Sequence, residues 1–424
     1  MHHDNHYRYT NDNMREHAEK HYVGLDIGTS HVRCVVGVQN PEDQSSIQVI
    51  GHGVAANTGM RKGVVMHIDE VSTAIADAVS EAERIAGVRI DRATININGS
   101  HVTSMNSRGV VAISGPNREI SVEDRERVEE AAAIVKLPSN REIIQIFAKN
   151  YRLDGQDNIK DPVGMSGVRL EVDCHIVTAA TPNLRNVDLV LERAQVQATN
   201  RTVSALAAAE ATLDRKQKEA GTVLVDIGAG TTNIVVIEDG EIQHVAIIPM
   251  GGNNITNDLA IGLKTDLDVA EQVKLKHAQL GDATDKTYRI IVDGTGYTFE
   301  QLETNMIVEA RVDELLEYVD KELQRIHRSR KLPGGAVLVG GTAKLPGLVE
   351  FAKEKLQLPV KIGKVRGLGG LVDTVDEPEF ITATGLMLLD VMLAPFVNEQ
   401  QNGTPLFNRG SLDMLSGLLK RFRS

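Results

Sequence analysis

A chain of 424 residues, 42% hydrophobic and 25% charged, is too long for one ordinary core and has the balance of a globular protein of two or more domains. Its net charge of −12 argues against general affinity for nucleic acid, which takes clustered Lys and Arg. Cys34 and Cys174 form no disulfide framework and show no metal-ligand spacing, so a reducing cytoplasm is the default. No stretch approaches the ~18 consecutive apolar residues of a membrane span. The N-terminus also lacks the basic-then-apolar order of a signal peptide.

Residues 1–20, "MHHDNHYRYTNDNMREHAEK", are polar and aperiodic and read as a disordered tail. Structure begins at "HYVGLDIGTSHVRCVVGV", an apolar strand, a Gly-rich turn and a second strand. A helix follows over "DEVSTAIADAVSEAERIAG", where Val71, Ile75, Ala78, Ala82 and Ile85 share a face and Gly87 closes the helix. Over 91–170 the texture changes to short strands around one helix, which Ser121 and Asp124 mark with a capping box. This stretch reads as an inserted α+β subdomain. The strand-and-helix texture resumes over 171–220, with a helix near Asn183 to Ala198, so 21–90 and 171–220 make one lobe.

A second lobe spans 221–394. Within it, helical segments at 252–280, a hairpin "TYRIIVDGTGYTFEQL" and a long amphipathic helix from about Asn305 to Arg330 form a smaller unit at 252–331. Then "AVLVGGTAKLPGLVEFAKEKL" gives strand, Gly-rich turn and helix. A polar linker at 395–411 leads to a terminal segment, 412–424. The fold class is α/β and two-lobed.

"LDIGTSHVRCVVGV" and "VDIGAGTTNIVVIEDG" are two copies of one device, an apolar strand ending in Asp-Ile-Gly, a turn of small residues and a Val-rich strand. Either copy alone also fits an ordinary tight hairpin. Together, about two hundred residues apart, they fit two similar lobes closing on one ligand. Glycines let backbone N–H groups converge on phosphate oxygens, and the hydroxyls of Thr29, Ser30, Thr231 and Thr232 add donors. Asp26 and Asp226 are placed to face a divalent cation through water, as magnesium prefers. Gly340 and Gly341 let a flat base approach the backbone, or merely make a tight turn.

Two DIG turns and a later GGT turn resemble the actin, sugar-kinase and heat-shock-chaperone ATPase superfamily. Within it, "INGSHVTSMNSRGVVAIS" and "DPVGMSGVRLEVDCHIVTA" resemble the inserted subdomain, called 1C, of the FtsA family of actin-like bacterial cell-division proteins. The resemblance covers Tyr22 to Leu393 and the terminal segment. It implies a two-lobed actin-like ATPase fold that binds ATP with Mg2+. Asp26, Gly28, Thr29 and Ser30 fall on the first phosphate turn, and Asp226, Gly228, Gly230, Thr231 and Thr232 on the second. Gly340, Gly341 and Thr342 fall on the adenosine turn. Glu271 and Lys274 resemble the pair that reaches the ribose, with a solvated i, i+3 ion pair as the lesser alternative for the same spacing.

Three departures from the family pattern follow the turns. His31 stands where many relatives carry Lys, Asn233 where the second turn often reads Asp, and Val203 roughly where the chaperones hold a water-positioning Glu. These put rapid hydrolysis in doubt more than binding, so turnover is expected to be slow or absent.

In "LDMLSGLLKRFRS", Leu412, Leu415, Leu419 and Phe422 share a helical face with Leu418 beside them, and Lys420, Arg421 and Arg423 cluster at the end. That arrangement fits a helix lying on an anionic membrane, or a helix docked on the protein's own core. The resemblance further implies a polymer-forming adaptor at the division septum, on the cytoplasmic face of the cell membrane. Its partners would be the C-terminal tail of FtsZ, further copies of itself and later division proteins. A pilus-assembly ATP-binding protein of the PilM kind and a small-molecule kinase share the fold. The terminal segment speaks against both, and no carboxylate base for a kinase stands out.

Overall fold

The computed structural model describes residues 20–40, 46–281 and 285–400. The expected N-terminal tail up to residue 19 and the terminal segment with Leu412, Leu415, Leu418, Leu419, Lys420, Arg421, Phe422 and Arg423 lie outside them.

Two sheets of matching order organise the chain. In the first, Gln197–Val203, Arg92–Ile97, His21–Ile27, His31–Gln39, Ile47–Ala56 and Leu368–Gly370 lie side by side. In the second the order is Val360–Ile362, Gly335–Val339, Thr222–Ile227, Thr232–Glu238 and Glu241–Ile248. Each sheet has an Asp-ending strand paired antiparallel with the strand after it and parallel with a strand reached by crossover. Thr222–Ile227 and Gly335–Val339 are buried throughout, as central strands covered on both faces must be.

Helix Ile68–Ala86 buries Val71, Ala74, Ile75, Ala78 and Ala82 against the first sheet and ends at Gly87 in the left-handed region. Helix Val122–Ala133 carries the expected capping box, Ser121 and Asp124 each accepting from the other's backbone N–H at 3.1 Å. The 252–280 stretch divides into Gly252–Gly262 and Leu267–His277, because Lys264 takes a positive φ of 53° between them. The hairpin Thr287–Val292/Thr295–Glu300 and the helix Gln301–Arg325 follow.

Topology redraws three expected boundaries. Strand Arg92–Ile97 is a central strand of the first sheet, so the insertion starts after Ile97. The insertion ends at Ala180, since Arg169–Ala180 is the centre of its four-stranded sheet, flanked by Thr103–Ala112 and Arg141–Leu153. Beyond the second sheet, Leu368–Gly370 rejoins the first sheet, so 221–394 is not one lobe. Helix Ile381–Gln400 packs on the first lobe, where Asp390 accepts from the Val23 N–H at 3.1 Å, Thr94 Oγ1 at 2.8 Å and Thr199 Oγ1 at 2.9 Å. It also runs through Pro395 into the expected linker, as far as Gln400. Among the described residues no helix is long and apolar enough to cross a membrane.

The inserted subdomain belongs to the first lobe by sequence yet docks on the edge strand of the second. Ser104 Oγ donates to the Val245 carbonyl at 2.7 Å and Lys149 Nζ to the Gln243 carbonyl at 2.6 Å. The Val245 N–H donates to Nε2 of buried His175, whose Nδ1 faces Asn106 Oδ1 at 2.8 Å. This geometry requires a neutral imidazole, and burial, then Lys149 and His244, hold His175 well below its usual pKa. The unfolded chain therefore takes up a proton that the docked form refuses, and each pH unit below ~6.5 costs the seam up to about 1.4 kcal/mol. Hydrogen exchange at the Val245 amide, corrected for its intrinsic rate, should rise at least about fivefold from pH 7.5 to 5.5. In His175→Gln, which keeps an acceptor without a titratable ring, it should not.

Candidate functional site

Both phosphate turns close in the same way. The Gly28 N–H donates to the His31 carbonyl at 3.1 Å, and the Gly228 N–H to the Thr231 carbonyl at 2.9 Å. Across each hairpin the aspartate is in register with a polar residue, Asp26 with Arg33 and Asp226 with Asn233. The two turns meet at Gly230, where an added Cβ would stand 2.8 Å from the Thr29 side chain. Both turns open on one cavity of about 370 Å³, within the range of small-molecule sites.

Asp26, Gly28, Thr29, Ser30, Asp226, Gly228, Thr231, Glu271, Lys274, Gly340, Gly341 and Thr342 all line this cavity. Two expected site residues do not. Gly230 provides the close approach between turns. Thr232 is fully buried and its hydroxyl donates to the Met250 carbonyl at 2.9 Å, so it holds the strand end and is no phosphate donor.

The paired carboxylates are the electrostatic centre. Burial pushes Asp26 up to about 7, with the Asp226 charge adding and Arg33 opposing. Asp226 is pushed up to about 6 by burial, against hydrogen bonds from Asn233 and Thr382 and the charge of Arg33. Asn96 Nδ2 donates to Asp26 at 2.7 Å, while its Oδ1 accepts from the Ile27 N–H at 2.8 Å. Asn233 Nδ2 donates to Asp226 at 3.2 Å, whereas Asn233 Oδ1 is buried without a partner among the described residues. Two close carboxylates held partly protonated, with an orphaned amide oxygen beside them, fit a hydrated divalent cation. Among the described residues no group of three His, Cys, Asp or Glu side chains forms a cage for a bare ion. Water and ligand oxygens would complete the shell.

Arg33 supplies the positive charge that His31 lacks. Burial, then Arg33, holds His31 below its usual pKa, against the opposing charges of Glu379 and Glu271; its Nδ1 lies 3.1 Å from Ser30 Oγ. The Arg33 side chain lines the cavity with a buried Nε that has no partner among the described residues. The signal for Arg33 was its register with Asp26 across the hairpin, which the order of residues along the chain does not display.

At the far end, Lys274 Nζ bonds Glu271 at 2.7 Å and Thr256 Oγ1 at 2.9 Å, so the expected pair is an ion pair that also lines the cavity. Gly340 has φ 86°, and a Cβ there would stand 2.5 Å from Asp226 Oδ1. A Cβ on Gly341 would meet nothing within 4 Å, and Leu275, Leu345 and Pro346 give this end an apolar lining. A flat ring has room there.

Val203 is fully buried and does not line the cavity; its neighbour Ser204 does. Each carboxylate that lines it has a partner: Asp26 and Asp226 as above, Glu271 with Lys274, and Glu379 Oε1 with Lys344 at 2.8 Å, while Glu379 Oε2 is buried with no partner among the described residues. Asn96, Asn98, Arg33, Ser204, Glu379 and Thr382 escaped the sequence reading because no Gly-rich turn carries them.

A family model described as "Cell division protein FtsA" matches residues 223–385, and one described as "SHS2 domain inserted in FTSA" matches residues 99–178. The second coincides with the inserted subdomain drawn from topology. The cell division protein FtsA of Bacillus subtilis is 39% identical over 371 residues, covering 86% of this chain and 82% of that protein. Its counterpart in Neisseria meningitidis is 36% identical over 414 residues, 96% of this chain and 98% of that protein. Among solved structures, the PilM-PilN type IV pilus biogenesis complex matches with a TM-score of 0.64 at 18% identity, over 87% of this chain and 98% of that one. MreB5 of Spiroplasma citri bound to ADP matches with a TM-score of 0.54 at 14% identity, over 91% and 99%. These two likenesses are of fold, the two-lobed actin-like ATPase architecture with an inserted subdomain.

Proposed function

The chain belongs to the FtsA family of cell division proteins, and on that premise we propose that it is an ATP-binding adaptor tying FtsZ to the inner face of the cell membrane. The observation that carries the nucleotide part is the convergence of two like turns, with Asp26 and Asp226, on one cavity. In this reading Gly28, Thr29, Ser30, Gly228 and Thr231 hold phosphate oxygens. Arg33 lends them a fixed positive charge, and Asp26 and Asp226 hold hydrated Mg2+. Glu271 and Lys274 reach the ribose, and Gly340, Gly341 and Thr342 form the adenosine edge. The cation screens phosphate charge, while the turns orient the chain of phosphates and the lobes exclude water. Asp26 and Asp226 are given over to the cation, Glu271 to Lys274 and Glu379 to the Lys344 ammonium, so among the described residues no carboxylate of the cavity stands poised to activate water, and turnover is slow or absent. Nucleotide serves instead as a clamp that biases the lobes between two arrangements.

FtsZ, through its short C-terminal tail, docks on the unit at 252–331. A groove of about 490 Å³ lined by Ile261, Leu263, Lys264, Tyr297 and Phe299 supports this placement, and Ile261 is exposed beside it. Self-association uses the inserted subdomain, and later division proteins join the assembled filament.

Membrane attachment rests on the sequence of the terminal segment. Fully buried in an acyl interface, each of Leu412, Leu415, Leu418, Leu419 and Phe422 contributes roughly 1.5–3 kcal/mol. Ordering the helix costs about 1–2 kcal/mol per residue, and Lys420, Arg421 and Arg423 return about 1 kcal/mol each on an anionic surface. One tail is marginal, so attachment needs several acting together along a polymer. Leu419→Glu should reduce co-sedimentation with anionic vesicles about tenfold or more, and raised salt should weaken the wild type. A chain ending at Val397 that pellets as the full chain does would place the anchor elsewhere.

A further inference from the structure

The central parallel strand of the first sheet, Arg92–Ile97, runs out into Asn98-Gly99 just as Gly335–Val339 runs out into Gly340-Gly341 in the second. In the second lobe that pair forms the edge of the cavity. In the first it is where the chain departs for the inserted subdomain, yet Asn98 still lines the cavity.

The Asn98 amide is fixed at both ends. The Gly99 N–H donates to its Oδ1 at 2.6 Å, so Nδ2 is the end that faces Thr231, where it donates to Oγ1 at 3.0 Å. A threonine hydroxyl has one proton and two acceptor sites. Filling an acceptor site from the protein leaves the proton for something else, and Thr231 lines the cavity. The first turn has the same device, with the Gly63 N–H donating to Thr29 Oγ1 at 3.1 Å. Gly63 and Gly99 touch, since a Cβ on Gly63 would stand 2.6 Å from Gly99 Cα. The two devices therefore join at the root of the insertion.

We propose that Asn98 is a positioning residue for the second phosphate turn. By donating to the Thr231 hydroxyl oxygen it leaves the hydroxyl proton directed at a phosphoryl oxygen, and it carries the occupancy of that site to the root of the inserted subdomain. The proposal rests on the nucleotide reading above and goes beyond it in naming how a bound phosphate is felt outside the cavity.

The test is calorimetric titration of the full chain with Mg-ATP and, separately, with adenosine, which lacks the phosphates. A wild-type chain that binds neither overturns the nucleotide reading itself, and the proposal with it. With wild-type binding established, Asn98→Ala should weaken Mg-ATP about tenfold and leave adenosine unchanged. Asn98→Asp should weaken Mg-ATP further, because a carboxylate takes the Thr231 proton and adds negative charge. In a Thr231→Val background Asn98→Ala should cost nothing more. Mg-ATP should also slow hydrogen exchange along Thr103–Ala112 in the wild type and not in Asn98→Ala. Wild-type affinity in Asn98→Ala, an equal loss for adenosine, or a full second loss in the Thr231→Val background each overturns the proposal while leaving nucleotide binding intact.

Discussion

Asp26→Asn should give a protein that melts higher than the wild type without ligand and responds far more weakly to magnesium. The Asp26 carboxyl is buried and pushed up to about 7 in the folded chain, against about 3.9 unfolded. A raised carboxylate keeps its full contribution to stability below the unfolded value and loses it as pH climbs through the folded value. The free wild type should therefore lose stability between about pH 4 and 7, on the order of 2–4 kcal/mol. Asn escapes that loss and keeps the oxygen to which Asn96 donates at 2.7 Å. Its melting temperature at pH 7.5 should rise by about 5 °C. If Asp26 and Asp226 share a hydrated cation as proposed, removing one of the two charges should cost Mg-dependent nucleotide affinity on the order of 100-fold. A variant that melts no higher than the wild type would mean that the two carboxylates are not strained in the free protein. Thermal melts from pH 4.5 to 8 give the answer.

Gly341→Leu should block the adenosine end and leave the fold alone. A Cβ at Gly341 meets nothing within 4 Å, and the backbone there lies outside the positive-φ region, so the substitution strains neither packing nor chain. Gly341 lines the cavity and is itself exposed, so the added side chain stands at the cavity's mouth. Nucleotide affinity should fall at least about 100-fold with the melting temperature changed by less than about 2 °C. Gly340→Ala is the contrast, since φ 86° and a Cβ 2.5 Å from Asp226 Oδ1 make it a folding defect first. If Gly341→Leu binds ATP as the wild type does, the base does not lie where the third turn places it.

The parts of this site that the sequence displayed are those in which local chemistry and function coincide. An Asp-Ile-Gly at the end of an apolar strand is read locally because the turn, the glycine and the carboxylate are consecutive. The capping box at Ser121 and the stop at Gly87 were legible for the same reason. What stayed hidden depends on register and return of the chain. Arg33 stands beside Asp26 only because the two strands pair with that offset. Thr382 reaches Asp226 from a helix more than a hundred residues downstream, at 3.4 Å. Strand Arg92–Ile97 has the same β-branched texture as the insertion that follows it, so composition alone drew the boundary early, whereas sheet order settles it. Thr232 was the opposite error, since a hydroxyl in a Gly-rich turn looks like a ligand until its backbone partner, Met250, is seen.

The central claim is that the cavity holds ATP with magnesium between Asp26 and Asp226. Its most direct test is calorimetric titration of the full chain with ATP near pH 6.5, with and without magnesium, in two buffers of different ionisation heat. The account predicts one-to-one binding that depends on magnesium and releases protons, because a cation drives the raised carboxyls to ionise. Binding that is the same without magnesium and moves no protons, or no binding at all, would contradict it.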